Sequence, residues 1–288
     1  MSQFSELPGD LIIEIMTKLK YTSLGVCLIN KNTIFIYRSN ERCILKQIIH
    51  SYQLFYTDNP KSNIRYLIKQ KGIKYDWHNL HYTVKSGVLD DVKFVVKNPK
   101  YMDSTYNDYF FILKHAASDG HLDITDFLIG IEDIKPATLQ SSINHALPEA
   151  AFRGHVSTVK LLLDRGADIH YNEDQALRDA VAKGRTNVVK LLLERGADIH
   201  SRNDYAIKRA IEKGQTGAVK LLIEHGIDIT MNDNYLFQQA VHNGNLAVIK
   251  LLIQAGAKDS NGTALRWSTE YRPQIAKYLI SIGMNHLD

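Results

Sequence analysis

The decapeptide LLLDRGADIH (residues 161–170) decides the fold, because it returns thirty residues later as LLLERGADIH (residues 191–200). Two series of glycines keep the same interval of thirty: Gly154, Gly184, Gly214 and Gly244, then Gly166, Gly196, Gly226 and Gly256. A fixed period of this length is typical of solenoids, in which each unit buries its apolar faces only against its neighbours. The sequence therefore predicts a stack of equivalent units.

Each unit contains two helical patterns. In the first, Ala180 marks a position that is alanine in four copies, which indicates close packing. In the second, apolar residues point in most directions and only Lys190 and Glu194 face water, so this helix is predicted to lie between neighbours. The glycines suit left-handed helix ends. Three residues are predicted N-caps of the first helices: Asp174, Asp204 and Asn234.

Weaker copies of the pattern flank the four regular ones. They give about eight units between residue 51 and the end, the outer ones degenerate because a terminal unit has one face in water. The interval from Ala116 to Ala150 is thirty-four residues, which predicts a longer loop there.

The pattern G-H-x-x-x-V-K-L-L-L-x-x-G-A-D-I-x, present at 154–170 and with Arg185 for the histidine at 184–200, resembles the ankyrin repeat. The resemblance implies an all-α solenoid of helix pairs that binds a protein. Ankyrin units usually have about 33 residues and begin T-P-L-H, whereas these read QALR, YAIK and YLFQ. The missing residues fall where ankyrins project a β-hairpin finger, so we expect shortened fingers. Such short units are similar to those of giant DNA viruses of amoebae.

Residues 1–50 do not repeat and form a separate predicted module. A helical apolar set follows Leu7-Pro8, a second short set begins at Leu24, and a third helix is predicted from about Lys31 to Ile49. The residues of the first set are Leu11, Ile12, Ile15, Met16 and Leu19.

This segment resembles an F-box, and the resemblance implies docking onto a Skp-type adaptor of a cullin–RING ubiquitin ligase. The residues it would place on the adaptor are Leu7, Pro8, Leu11, Ile12 and Ile15. Gly9-Asp10 departs from the usual acidic pair, and the tryptophan often found near the third helix is absent. The alternative is a helical cap that only closes the solenoid.

Catalytic and cofactor motifs are missing from the sequence. It contains no HExxH, CxxC, GxGxxG or Walker-type loop, and the glycines are periodic. The array histidines occupy separate units, which favours structural roles over a metal site. We expect a protein that is not an enzyme and needs no cofactor or metal.

Composition indicates the compartment. Two cysteines in 288 residues favour a reducing environment, and no signal peptide or membrane span is recognisable. We expect a cytoplasmic protein, in the host cytoplasm if it is viral, without a membrane partner.

Two rows of cations recur at fixed repeat positions. Arg165, Arg195 and His225 precede the second glycine series. Arg153, Lys183 and Lys213 precede the first, where the ankyrin resemblance implies the concave binding face. The complete set proposed to contact a target is Phe152, Arg153, Lys183, Tyr205, Lys213, Tyr235 and His242. These cations predict an acidic protein target, with simple solubility as the alternative.

The formal net charge of +4 is modest, and acidic residues interrupt the positive rows, which disfavours a nucleic-acid partner. Two functions remain. The first is a substrate receptor that links a target to a ubiquitin ligase. The second is an ankyrin scaffold or decoy without a ligase link.

Overall fold

The computed structural model describes residues 25–30, 33–37, 83–85, 87–97, 106–132 and 134–284. The chain forms two compact units, Met1–Ala116 and Ala117–Asp288. The boundary predicted between residues 50 and 51 lies outside the described residues.

The N-terminal unit contains a β-hairpin where helices were predicted. Strands β1 (Gly25–Asn30) and β2 (Thr33–Tyr37) pair antiparallel, with Cys27 opposite Phe35. The prediction of second and third helices over these residues is wrong. Both runs are rich in β-branched and aromatic residues and only two residues separate them, which favours a hairpin over short helices. The predicted first helix and its adaptor-binding residues lie outside the described residues.

Helices account for the rest of the described structure. In the first unit α1 spans Leu89–Val96, and α2 (Tyr106–Asp119) crosses into the second. The second unit then contains α3 (Leu122–Ile129), α4 (Pro136–Arg153), α5 (Val156–Asp164), α6 (Tyr171–Ala182), α7 (Thr186–Glu194), α8 (Ser201–Glu212), α9 (Thr216–Glu224), α10 (Met231–Asn243), α11 (Leu246–Gln254), α12 (Thr263–Tyr271) and α13 (Pro273–Ser281).

These helices pack in two layers. The first-helix layer places α4, α6, α8, α10 and α12 side by side, and the second-helix layer does the same with α3, α5, α7, α9 and α11. The repeated alanines of the first helices, including Ala180, are fully buried. In α7, Val188, Val189, Leu192 and Leu193 are all buried. The predicted solenoid of helix pairs is confirmed. Along the described segments we find no helix with the length and apolarity needed to cross a bilayer.

A turn of left-handed residues stands where longer ankyrin units form a hairpin finger. Asn172, Glu173 and Asp174 have φ of 50°, 57° and 53°, and no strand forms at 167–174. Each such residue costs roughly 1–2 kcal/mol. Arg178 offsets part of this cost, since its Nε donates to the Glu173 carbonyl (2.9 Å) and its Nη2 to the Asn172 carbonyl (2.7 Å). The shortened period therefore gives a shortened finger.

Two of the three residues predicted as N-caps, Asp174 and Asn234, join neighbouring units. Asp174 Oδ1 accepts the backbone N–H of Asp198 in the next unit at 2.8 Å, and Asn234 Oδ1 accepts that of Lys258 at 3.3 Å. The regular part of α6 and of α8 begins after the left-handed residues 172–174 and 202–204. The capping prediction is wrong for Asp174 and Asn234, because their side-chain oxygens accept an N–H of the next unit's turn.

The thirty-four-residue interval does not produce a longer loop. Helix α4 has eighteen residues with no left-handed break, whereas the left-handed residues 172–174 interrupt α6. Pro136 lies in the first turn of α4. Proline is accepted there because the first helical N–H groups have no partner within the helix. The added residues therefore extend a helix, and the loop prediction is wrong.

Candidate protein-binding surface

Helices α4, α6 and α8 each end in a glycine turn that places a cation at the edge of the first-helix layer. Gly154 adopts φ +92°, and its N–H donates to the Ala150 carbonyl at 3.0 Å. Glycine reaches this left-handed conformation without the strain of a side chain. Arg153, Lys183 and Lys213 stand immediately before these turns and are exposed. We call these three residues the turn row.

The turn row contacts residues of its own face. Lys183 Nζ lies 4.5 Å from the centre of the Phe152 ring in the preceding unit, within the range of a cation–π interaction. Lys213 Nζ lies 3.3 Å from Glu212 Oε1, and the lysine side chain remains 44% exposed. The structure therefore brings Phe152 and the predicted cations to one edge.

The residue after each turn glycine reaches back to the preceding unit. His155 Nε2 is 2.9 Å from the Ser118 carbonyl, Arg185 Nε donates to the Phe152 carbonyl at 3.1 Å, and Asn245 Nδ2 donates to the Gly214 carbonyl at 3.2 Å. Arg185 is exposed and adds a fourth cation beside the turn row. Arg185 was not among the predicted binding residues, although it replaces the histidine of the repeat pattern, which was a usable signal.

Carboxylates interrupt the positive charge of the first-helix layer. Arg209 Nη1 donates to both oxygens of Glu212, at 2.8 and 2.7 Å, and the hydrogen bond from Arg209 lowers the Glu212 pKa. Asp179 accepts a hydrogen bond from Gln175 (3.2 Å). Burial is the main cause that raises the Asp179 pKa, and the neighbouring Glu149 charge adds to it. These carboxylates offset part of the positive charge of the layer, and Glu212 does so at the turn edge beside Lys213.

The predicted aromatic residues lie at two separate places. Tyr205 and Tyr235 are 37% and 42% exposed in the first turns of their helices. Eight residues of helical rise put Tyr205 about 12 Å from Lys213. Arg178 of the preceding unit lies 5.7 Å from the Tyr205 ring centre. These tyrosines are therefore on the same layer as the turn row but not beside it.

His242 joins an aromatic stack with Trp267 and Tyr271, two residues that were not among the predicted binding residues. Its ring centre is 4.4 Å from that of Trp267, which is 5.1 Å from that of Tyr271. Tyr271 is 57% exposed. The last unit departs from the thirty-residue period, so periodicity did not align these rings.

The second row of cations connects units. Arg165 pairs with Asp126, and Arg195 Nη1 lies 2.9 Å from Asp164 Oδ1 of the preceding unit. His225 Nδ1 lies 2.8 Å from the Leu221 carbonyl of its own helix. The two arginines therefore tie side chains of neighbouring units together, whereas His225 stays within its own helix.

The array histidines make local contacts. His170 Nδ1 lies 3.1 Å from Asp174 Oδ1, and His200 Nδ1 lies 2.7 Å from Asp204 Oδ1. Nowhere in the described ranges do three or more His, Cys, Asp or Glu side chains converge as metal ligands would. The Asp–His contacts repeat from one unit to the next and belong to the turn between them.

Stacked helix pairs with a constant interior and an exposed face of changing residues define a repeat scaffold that binds other proteins. The family model described as "Ankyrin repeats (3 copies)" matches residues 80–173, 113–203, 149–233 and 207–288. The chain belongs to the ankyrin repeat family, whose members are typically non-catalytic binding scaffolds. No curated protein sequence matches it significantly.

Proposed function

We propose that the array binds a partner protein through the exposed surface of its first-helix layer, with the turn row as the charged edge of the site. The contrast between constant and changing positions carries this proposal. The buried alanine and the turn glycine are the same in four units. One position of the first helix changes instead: it is half-buried His145 and Gln175 in two units and exposed Tyr205 and Tyr235 in the next two. Residues that differ between equivalent units are the ones able to distinguish partners.

The chemistry of the edge favours an acidic partner surface. Arg153, Lys183, Arg185 and Lys213 are all exposed there, against the carboxylate of Glu212. Charge complementarity mainly raises the association rate and selects partners, and salt screens it. The chain itself would contribute binding and no catalytic step.

Site-specific photocrosslinking tests this surface. A photoreactive phenylalanine analogue would replace Phe152 or Tyr235 on the first-helix layer, and Lys190 or Lys220 on the second-helix layer as matched controls. We expect the same crosslinked partner from the first two positions and none from the controls. Equal crosslinking from both layers would contradict the proposal. So would an unchanged yield after Arg153→Glu, Lys183→Glu and Lys213→Glu are combined.

A second candidate function is that of a substrate receptor in a Skp/cullin-type ubiquitin ligase. The Leu7-Pro8 motif and the helical spacing of Leu11 and Ile15 favour it. The hairpin at 25–37 occupies part of the sequence that an F-box would use for its later helices. This candidate therefore rests on the N-terminal motif. The alternative is a scaffold or decoy that blocks its partner without ubiquitin transfer.

Co-expression with a eukaryotic Skp-type adaptor separates the two. The receptor function requires that the natural chain retain the adaptor in a pulldown and that Leu11→Asp with Ile15→Asp lose it. Helical circular dichroism of both chains controls for folding of the array. No retention by the folded natural chain would leave the scaffold function.

We place this activity in the cytoplasm, and in the host cytoplasm if the short units mark a viral protein. Fractionation of cells that produce the chain tests the location. Recovery of the protein in the nuclear fraction would contradict it.

A further inference from the structure

We propose that the turn row binds an extended acidic segment of the partner in which a carboxylate occupies every third residue. The inference rests on the proposed function and deepens it, because the geometry of the array sets the spacing of charges in its ligand.

The packing of the helices sets the spacing of the cations in the turn row. Packed helices lie about 8–10 Å apart, and each turn-row residue stands at the same place in its unit. The contact of Lys183 Nζ with the Phe152 ring, 4.5 Å away, shows that consecutive turns are direct neighbours. Successive cations of the row are therefore spaced by about one helix diameter, roughly 9 Å.

The spacing of the turn row can be compared with the spacing of side chains along a ligand in each regular conformation. A polyproline II segment rises about 3.1 Å per residue with three residues per turn, so side chains three apart share one side at about 9.3 Å. In a β-strand, side chains on one face recur at about 6.6 Å. On an α-helix, residues seven apart are needed to reach about 10.5 Å. Polyproline II therefore matches the spacing of the turn row, and it needs fewer ligand residues between successive charges than an α-helix does.

The surroundings of the turn row add positive charge and an aromatic surface. Helices α5 and α7 begin beside it, and their N-cap residues His155 and Arg185 make no side-chain capping bond. The partial positive charge of these helix ends adds to that of the side chains. Phe152 is partly buried beneath Lys183 and offers an aromatic surface of the kind that proline-rich ligands contact.

Two labelled peptides of identical composition test the spacing. In the first, single glutamates alternate with pairs of prolines. In the second, the same glutamates are contiguous at one end. Fluorescence anisotropy with the full chain at low salt should give about tenfold tighter binding for the spaced peptide, because only this peptide aligns each carboxylate with a cation.

Protein variants with equal charge changes provide the control. Arg153→Glu, Lys183→Glu and Lys213→Glu together should abolish the preference for the spaced peptide. Lys160→Glu, Lys190→Glu and Lys220→Glu keep the same repeat spacing at exposed positions of the second helices, and this variant should retain the preference.

Equal affinity for the two peptides would overturn the inference, as would absence of binding to both. Equal loss in the two variants, or tighter binding of single-stranded polyuridine than of the spaced peptide, would also overturn it. None of these results changes the photocrosslinking pattern expected for the proposed function, so failure of the spacing is distinguishable from failure of the binding surface.

Discussion

Two glycine turns of the array, at Gly120 and Gly166, should differ sharply in their tolerance of alanine. Gly120, which ends α2, and Gly166, which follows α5, have similar φ of +76° and +86°. A Cβ at Gly120 would lie 2.5 Å from His155 Nδ1 and 2.8 Å from its Cγ, whereas a Cβ at Gly166 would meet nothing within 4 Å. Only the first position therefore combines backbone strain with a collision.

The expected costs follow from these distances. Both alanine variants incur the left-handed strain of about 1–2 kcal/mol. Gly120→Ala must also displace a rigid imidazole, which adds about 1–3 kcal/mol of overpacking. The hydrogen bond between His155 Nε2 and the Ser118 carbonyl (2.9 Å) is then lost, at about 1 kcal/mol. We expect a total of about 3–6 kcal/mol for Gly120→Ala against about 1–2 kcal/mol for Gly166→Ala.

Urea denaturation of the full chain, followed by far-ultraviolet circular dichroism, measures the difference as a shift in midpoint at unchanged slope. A double-mutant cycle isolates its cause. In a His155→Ala background, Gly120→Ala should cost no more than Gly166→Ala. Equal midpoint shifts for the two single alanine variants would refute the reasoning, and so would an undiminished cost of Gly120→Ala in that background.

Three further predictions concern other interactions of the array, each measured by urea denaturation. Asp174→Ala leaves the Asp198 N–H without its acceptor and should lower the free energy of unfolding by about 1–3 kcal/mol. Asp174→Asn keeps a side-chain oxygen and should recover most of this loss. Equal losses in the two variants would contradict the role of that oxygen. Arg195→Ala breaks an exposed ion pair with Asp164 and should lower the free energy of unfolding by only about 0.2–1 kcal/mol. A larger loss would contradict this expectation. Burial raises the Asp179 pKa, so ionisation of this carboxyl destabilises the fold as pH rises; Asp179→Asn should stabilise the chain at pH 7, and the gain should vanish below the unfolded pKa of about 3.9. A gain that persists unchanged at pH 3 would contradict this cause.

The repeat period predicted the solenoid because each unit places the same small and apolar residues at the same buried positions. Ala180 and Leu192 are both fully buried. The role of the first glycine series was only half visible. Its position predicted a helix end, but the close approach of the next unit's side chain, such as Arg185 Cδ at 2.9 Å from where a Cβ of Gly154 would lie, depends on side-chain placement across units. Asp174 was misassigned for the same reason, since its acceptor role is satisfied by a residue twenty-four positions away.

The candidate surface could be predicted in part. The turn row follows from the thirty-residue interval, and the structure places Phe152 beside Lys183. The separation of Tyr205 from the turn row follows from the rise of the helix between Tyr205 and Lys213. The thirty-residue period relates positions in different units and does not predict this distance. The hairpin at 25–37 shows the limit of apolar spacing in a short segment, because the same residues satisfy a helical pattern and a strand pattern.

The most direct test of the account is the affinity of the full chain for the protein identified by crosslinking, measured by isothermal titration calorimetry at two salt concentrations. The account predicts that combined reversal of Arg153, Lys183 and Lys213 to glutamate weakens binding at least about tenfold and removes most of its salt dependence. The matched reversal of Lys160, Lys190 and Lys220 should change affinity by less than about twofold. Equal weakening by the two variants, or none by the first, would contradict the claim that the first-helix layer binds the partner along its turn row.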